Sequence, residues 1–323
     1  MTTDLAPKVL VLAGGLSHER EISLRSGRRV SDALRESGCE VVTCDLDAGF
    51  LGTVRAEQPD LVWPVLHGAS GEDGSVRDVL DLVGVRYVGS DASACRRSFD
   101  KPMANALLAN AGISVPQSFT LPHSVFRELG ASGVLAAAVS TLGLPLVVKP
   151  ARGGSALGVH VVEDEARLPR AMVDCFAYDD DALLQRAVRG REVAVSVVDT
   201  GRGPRALPAV EIVPAGAAYD YEARYTAGAT EYYAPARLGH ATARAVGEVA
   251  EAVHRTLGLR DISRTDLIVS PSNEPHGDPT IWFLEVNVAP GMTETSLLPQ
   301  AVSASGDQLA VLYRQLVDAA LSR

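Results

Sequence analysis

Residues 281–297 read IWFLEVNVAPGMTETSL. The apolar run Ile281-Trp282-Phe283-Leu284 predicts a buried strand. Residues two apart on a strand project from the same face, so Glu285 and Asn287 point the same way. A carboxylate beside an amide oxygen suits a hard cation such as Mg²⁺, which takes oxygen ligands and bridges to substrate phosphates. Pro290-Gly291 breaks the strand and brings bare backbone up to whatever such a cation holds. Ser296 follows as a neutral hydrogen-bond donor. Taken alone, Glu285 and Asn287 fit an amphipathic strand with a solvated edge equally well.

The preceding segment narrows that choice. Arg264-Thr265-Asp266 lies in another apolar stretch, 262–269, ahead of a polar turn at 270–278. The two stretches predict an antiparallel hairpin with a long loop. Pairing brings Arg264 and Asp266 beside Glu285 and Asn287. One cation and three oxygen-bearing side chains then point to a site for Mg²⁺ and a nucleotide.

The bulk properties set limits on the function. A chain of 323 residues, 46% hydrophobic, 22% charged and 5% aromatic, belongs with soluble globular proteins of about two or three domains. A net charge of −10 argues against nucleic-acid and membrane-surface binding, which need a basic footprint. Cys39, Cys44, Cys95 and Cys175 form no CxxC pair and no zinc spacing, as expected of reduced thiols in a cytoplasmic protein. No apolar run reaches the roughly 18 residues of a membrane span, and residues 1–8, MTTDLAPK, show no signal-peptide core.

Working from the N-terminus, KVLVLA (8–13) reads as a buried parallel strand running into Gly14-Gly15. Helices are expected over 23–37 and 75–83, and strands at 40–45, 61–66 and 86–88. This alternation predicts a doubly wound α/β unit with ligands at the C-terminal strand ends. Neither GxGxxG nor GxxxxGK[ST] occurs. Instead Glu19 follows the first strand, and HGASGEDG (67–74) follows the third, with Gly68, Gly71 and Gly74 allowing close approach to a ligand. Glu19, Glu72 and Asp73 also fit simple helix N-terminal acids, and His67 fits a loop histidine bonded to backbone.

Asp100-Lys101-Pro102 opens a helix. After helical sequence at 124–142, LPLVVKP (144–150), ARGGSALG (151–158) and a strand at 159–162 make a β-hairpin with a glycine-rich tip, able to offer N–H groups to phosphate oxygens. Lys149 inside that apolar strand needs an anionic partner, either a structural carboxylate or a phosphate. A helix at 163–177 leads to ALLQRAV (182–188). The short link after it is a slot for an aromatic base, read by Gln185 and by the backbone of Arg186 and Val188, or a plain interdomain connection. A strand at 193–199 follows, then one at 207–213. YDYEARY (219–225) reads as a surface loop able to fold over a site. Helices are expected at 240–257 and 307–321.

Together these motifs resemble the D-alanine–D-alanine ligases of the ATP-grasp superfamily, along essentially the whole chain and in order. GGLSHEREIS (14–23), LHGASGEDG (66–74), Asp100-Lys101, VVKPARGGSALG (147–158), YDYEARY, Arg264-Thr265-Asp266 and EVNVAPGMTETS (285–296) carry the resemblance. It implies a three-domain ATP-grasp ligase of α/β and α+β class, divided as 1–103, 104–190 and 191–323, with an N-terminal doubly wound parallel sheet. It implies ligation of two D-alanine molecules through an acylphosphate for peptidoglycan synthesis, with ATP and two Mg²⁺ or Mn²⁺ ions, in a cytoplasmic homodimer. By resemblance, Asp266, Glu285 and Asn287 hold the metals. Lys101, Lys149, Ser155, Gln185, Arg186, Val188, Glu192 and Arg224 bind ATP. Arg264 and the Gly291 N–H stabilise the oxyanion. Glu19 and His67 hold the first substrate, Ser155 and Tyr225 link the lid to Glu19, and Ser296 and Leu297 take the second substrate. The chain departs from the family pattern at Gln185, where Glu is usual, at Arg224, where Lys is usual, and at Val288, where Thr is usual. The alternatives are a ligase of the same family for another amino-acid pair and a non-catalytic ATP-binding regulator.

Overall fold

Alternating apolar side chains along KVLVLA build β1 (Lys8–Ala13), the middle strand of a parallel three-stranded sheet. β2 (Glu40–Asp45) and β3 (Leu61–Pro64) flank it. Val9 and Val11 pack on one side with Val30 and Leu34 of α1 (Arg20–Glu36). Leu10 and Leu12 pack on the other with Phe50 and Val54 of α2 (Phe50–Glu57). The sheet is therefore covered on both faces, as in a doubly wound unit. Two short helices follow, α3 (Ala69–Glu72) and α4 (Ser75–Leu82), with Leu80 of α4 in the second core. The strand expected at 86–88 reduces to a single parallel bridge, Tyr87 to Val62. The chain leaves the sheet at once because the Gly89 N–H is held by Asp261 Oδ2 at 2.6 Å.

The computed structural model describes residues 6–216, 228–272 and 277–323. The surface loop expected at 219–225, with Arg224 and Tyr225, lies outside the described residues.

Asp91 caps α5 (Ala92–Phe99) by accepting from the Ala94 N–H, and Asp100 caps α6 (Lys101–Asn110) by accepting from the Met103 N–H. The central region then runs β4 (Ser118–Pro122), α7 (His123–Leu129), α8 (Ala131–Leu142), β5 (Leu146–Pro150), β6 (His160–Val162), α9 (Leu168–Cys175) and β7 (Asp181–Arg186). Its sheet is antiparallel, in the order β4-β7-β5-β6. The helical stretch expected at 124–142 is two helices bent by 114°, because Gly130 adopts φ +79° between them. Leu146, Val148 and Leu184 face a core with Leu135 and Met172. By strand alternation Val147, Lys149, Leu183 and Gln185 face the opposite side.

The remaining strands are β8 (Arg191–Val198), β9 (Arg205–Ala206), β10 (Val210–Pro214), β11 (Thr230–Tyr233), β12 (Ile262–Ser270) and β13 (Thr280–Asn287). They form an antiparallel sheet in the order β11-β10-β8-β12-β13, with β9 on β8. One face packs against α5, α6 and α10 (His240–Thr256). On the other side, α11 (Leu297–Ser305) and α12 (Leu309–Leu321) share a continuous core with α1, β1 and β3. Tyr313 meets Trp63 edge-on, ring centroids 5.1 Å apart. That shared core fixes the ends of β1 and β3 against the loop after β13. Among the described residues no single helix is long and apolar enough to cross a membrane; the bent pair α7–α8 reaches that length and composition only when joined, and Leu135, Ala138 and Leu142 of α8 are committed to the central core.

Candidate active site

The antiparallel hairpin expected from sequence forms between β12 and β13, in a register that sets Arg264 opposite Asn287 and Asp266 opposite Glu285. A one-residue slip would have turned these side chains to the other face. Arg264 donates from Nε to Asp266 Oδ1 at 2.7 Å and from Nη2 to Oδ2 at 2.8 Å. Asn287 Oδ1 accepts the Ala289 N–H at 2.7 Å, which bends the chain towards Pro290-Gly291. A Cβ at Gly291 would sit 2.7 Å from Ser296 Oγ, so a larger residue there would displace the Ser296 hydroxyl. Ser296 Oγ accepts the Thr293 N–H at 3.0 Å and lies directly before α11, whose first residue is Leu297.

The loops that follow β1 and β3 meet this hairpin from the other side. Glu19 stands at the start of α1 and accepts a hydrogen bond from the Ser155 hydroxyl. Ser155 and Ala156 hold φ of +52° and +56°, left-handed conformations that cost non-glycine residues about 1–3 kcal/mol each. The strain accompanies a turn that aims Ser155 at Glu19. Gly68, at φ +73°, leaves only 3.0 Å between a would-be Cβ and Glu19 Oε2. Glu72 accepts the Gly68 N–H at 3.1 Å. Burial, reinforced by the Glu19 charge, pushes its carboxyl up to about 8. His67 places Nδ1 3.0 Å from the Ala289 carbonyl and Nε2 3.3 Å from Ser26 Oγ. Burial holds its imidazole below the usual histidine range, against the opposing pull of Glu19.

Two lysines complete the cationic side. Lys101 Nζ donates to the Gly153 carbonyl at 2.6 Å. Lys149 Nζ donates to the Leu284 carbonyl at 3.5 Å and senses the Glu285 charge, while burial brings its ammonium down to about 8. The central and C-terminal sheets therefore touch through Lys149, a contact neither strand pattern implied.

Between these groups lies a cleft of about 640 Å³. Glu19, His67, Lys101, Ser155, Arg264, Glu285, Asn287, Gly291, Ser296 and Leu297 line it. Asp266 lies behind Arg264 and is 2% exposed. Lys149, Gln185, Arg186, Val188 and Glu192 are not in its walls. Gln185 and Arg186 end β7 and Glu192 is the second residue of β8, with the Val188 link between the sheets. Gln185 shares its sheet face with Lys149; it is 2% exposed, and among the described residues its Nε2 has no hydrogen-bond partner. A buried donor without a partner is unusual and marks a place for an acceptor.

Among the described residues no cluster of three or more His, Cys, Asp and Glu side chains is placed to hold a metal ion. The candidate set is thus two carboxylates and an amide oxygen on paired strands, all hard oxygen donors of the kind Mg²⁺ takes. Those residues fit the group. Sequence reading passed over Glu72 as a cleft residue and took no account of Ser26. The signal for Ser26 was available: Ser23 and Ser26, three apart on α1, are polar residues on a helix face that is otherwise buried.

A family model described as D-ala D-ala ligase C-terminus matches residues 107–318. The D-alanine–D-alanine ligase of Anaeromyxobacter sp. (strain K) is 41% identical over 320 residues, covering 99% of each chain. Among solved structures, D-alanine–D-alanine ligase from Bacillus anthracis superposes with a TM-score of 0.82 at 28% identity, covering 98% of both chains. The same ligase complexed with ATP gives 0.80 at 26%, again covering 98% of both.

Proposed function

Because the chain belongs to the D-alanine–D-alanine ligase family, we propose that it joins two D-alanine molecules into D-alanyl-D-alanine while ATP becomes ADP and phosphate. The observation that carries this reading is the meeting, in one cleft, of the Glu19–Ser155 pair with Arg264 and the Gly291 turn. Glu19 takes the first substrate's ammonium, and His67 lies by its carboxylate. That carboxylate attacks the γ-phosphorus, the bond to the bridging oxygen breaks, and ADP departs. The amine of the second substrate, whose own carboxylate meets Ser296 and the Leu297 backbone, then attacks the acyl carbon. The oxyanion that forms there receives hydrogen bonds from Arg264 and the Gly291 N–H. Its collapse expels phosphate, which carries away the proton that the attacking amine gives up, and leaves the amide.

Lys101, Lys149 and the backbone of the 151–158 loop hold the ATP phosphates. Gln185 and the Arg186–Val188 backbone read the base, and Glu192 the ribose. Asp266, Glu285 and Asn287 would hold two Mg²⁺ or Mn²⁺ ions, which supply neutralisation of charge on the transferring phosphoryl group. Arg224 and Tyr225, to which the resemblance gives an ATP contact and a link to Glu19, lie outside the described residues; whatever covers the cleft must keep water from the acylphosphate. The chain works in three units, 1–103, 104–190 and 191–323, as a cytoplasmic homodimer supplying peptidoglycan synthesis.

The test is phosphate release from ATP and Mg²⁺ with D-Ala, L-Ala, D-Ser and D-lactate in turn, with product masses measured. D-alanyl-D-alanine as the main product is the expected result. ATP binding without phosphate release on any of the four overturns the reading, and a mixed product reassigns the second substrate.

A further inference from the structure

Ser26 has no solvent exposure, and it joins two regions far apart in the chain. Its Oγ lies 3.3 Å from His67 Nε2 and accepts the Met292 N–H at 3.2 Å. The chemistry of the partners fixes the direction of each bond. The Ala289 carbonyl only accepts, so His67 Nδ1 carries the proton of that 3.0 Å contact. Burial disfavours the imidazolium, which leaves Nε2 bare to accept the Ser26 hydroxyl proton. The run is therefore Met292 N–H to Ser26 O–H to His67 to Ala289 C=O. Both ends of that run lie on one loop, and they bracket Pro290-Gly291.

We propose that Ser26 is a positioning residue for the ligation step: with His67 it clamps the 289–292 loop from both sides and so fixes the Gly291 N–H where the oxyanion develops. The inference rests on the reading of Gly291 given above. It makes α1 a rigid link between the first-substrate pocket, through Glu19 at its start, and the oxyanion loop. Ser26 itself touches no reacting atom. Pre-aimed donors are where such a link has most effect, because a displacement of about 1 Å in a catalytic group costs on the order of a hundredfold in rate.

The experiment compares wild type with Ser26→Ala, Ser26→Cys and Ser26→Thr in steady-state assays of dipeptide formation, alongside melting temperatures. Ala removes the hydroxyl. Cys keeps nearly the same volume but is a poor donor and acceptor. Thr restores the hydroxyl. We expect kcat to fall about tenfold or more in Ala and Cys with KM for ATP within about twofold, and Thr to recover most of kcat. Undiminished kcat in a folded Cys or Ala variant, with only the melting temperature lowered, overturns the proposal. So does full activity in Cys with a loss in Thr, which would make volume rather than the hydroxyl the determinant. Absence of dipeptide formation by the wild type would instead count against the functional reading.

Discussion

Arg264 grips both carboxylate oxygens of Asp266, two residues along the same strand, at 2.7 and 2.8 Å. The pair is buried, so each partner is costly to leave alone. Removing one partner of a buried ion pair destabilises by about 3–5 kcal/mol. Asp266→Ala should therefore lower stability by that order, seen in chemical denaturation. Asp266→Asn keeps one acceptor for Arg264 and should fold better. Its turnover should still fall by about a hundredfold or more, with a raised Mg²⁺ requirement, because under the proposed metal assignment the site loses a carboxylate charge. Unchanged Mg²⁺ dependence in Asp266→Asn would remove it from the metal set.

The Ser155–Glu19 bond ties the central hairpin to the first domain across 136 positions of sequence. Ser155→Gly should relieve the left-handed strain at φ +52° while cutting the tie. Stability should hold or improve slightly, by up to about 1 kcal/mol. Turnover should drop about tenfold or more as Glu19 loses its orienting donor. Equal losses of stability and activity would mean that Ser155 only supports the fold.

Glu72 carries a pH prediction. Its folded carboxyl titrates near 8, against 4.5 for the free side chain. A raised carboxyl favours the folded protein fully below the unfolded value, and the advantage is lost as pH rises towards the folded one. Wild type should thus lose stability between about pH 4.5 and 8 through this group, by a few kcal/mol at most. Glu72→Gln has no proton to lose. Its melting temperature, measured against wild type at pH 5 and pH 8, should compare more favourably at pH 8. An unchanged difference between the two pH values would exclude Glu72 as the titrating group.

Gln185 presents a buried Nε2 donor without a partner among the described residues. A base with an acceptor at that edge satisfies it, so a 6-oxo purine should be admitted alongside the 6-amino one. Gln185→Glu offers only acceptors, and a charged one binds an amino group more strongly. The ratio of kcat/KM for ATP over ITP should widen by about tenfold or more in that variant. If the ratio does not change, Gln185 is not the residue that reads the base.

Gly27 marks where α1 crosses β1. A Cβ there would lie 2.5 Å from Ala13 Cβ, and neither backbone can retreat cheaply. Gly27→Ala should cost about 1–3 kcal/mol by overpacking despite alanine's better helix propensity. Denaturant midpoints with an unchanged slope would measure it; a stabilised variant would show that α1 can shift.

Local pattern alone determined much of this protein. Continuous apolar runs placed β1, β5, β12 and β13, and the spacing of Arg264, Asp266, Glu285 and Asn287 set their common face, because side-chain direction on a strand has a period of two. Asp100 and Pro102 marked the start of α6 for reasons internal to a single turn. The sequence reading ran one helix through Gly130 and did not anticipate α2, α5 and α11, because short helices have weak periodicity and take their stability from packing. The family resemblance implied that Ser155 meets Glu19, as it does, but only the tertiary structure decided that His67 meets Ala289 across 222 positions and that Lys149 reaches the Leu284 carbonyl. Those contacts depend on how the sheets and α1 dock through a shared apolar core. Hydrophobic burial drives that docking without direction, so the polar partners it brings together leave no periodic trace in the chain.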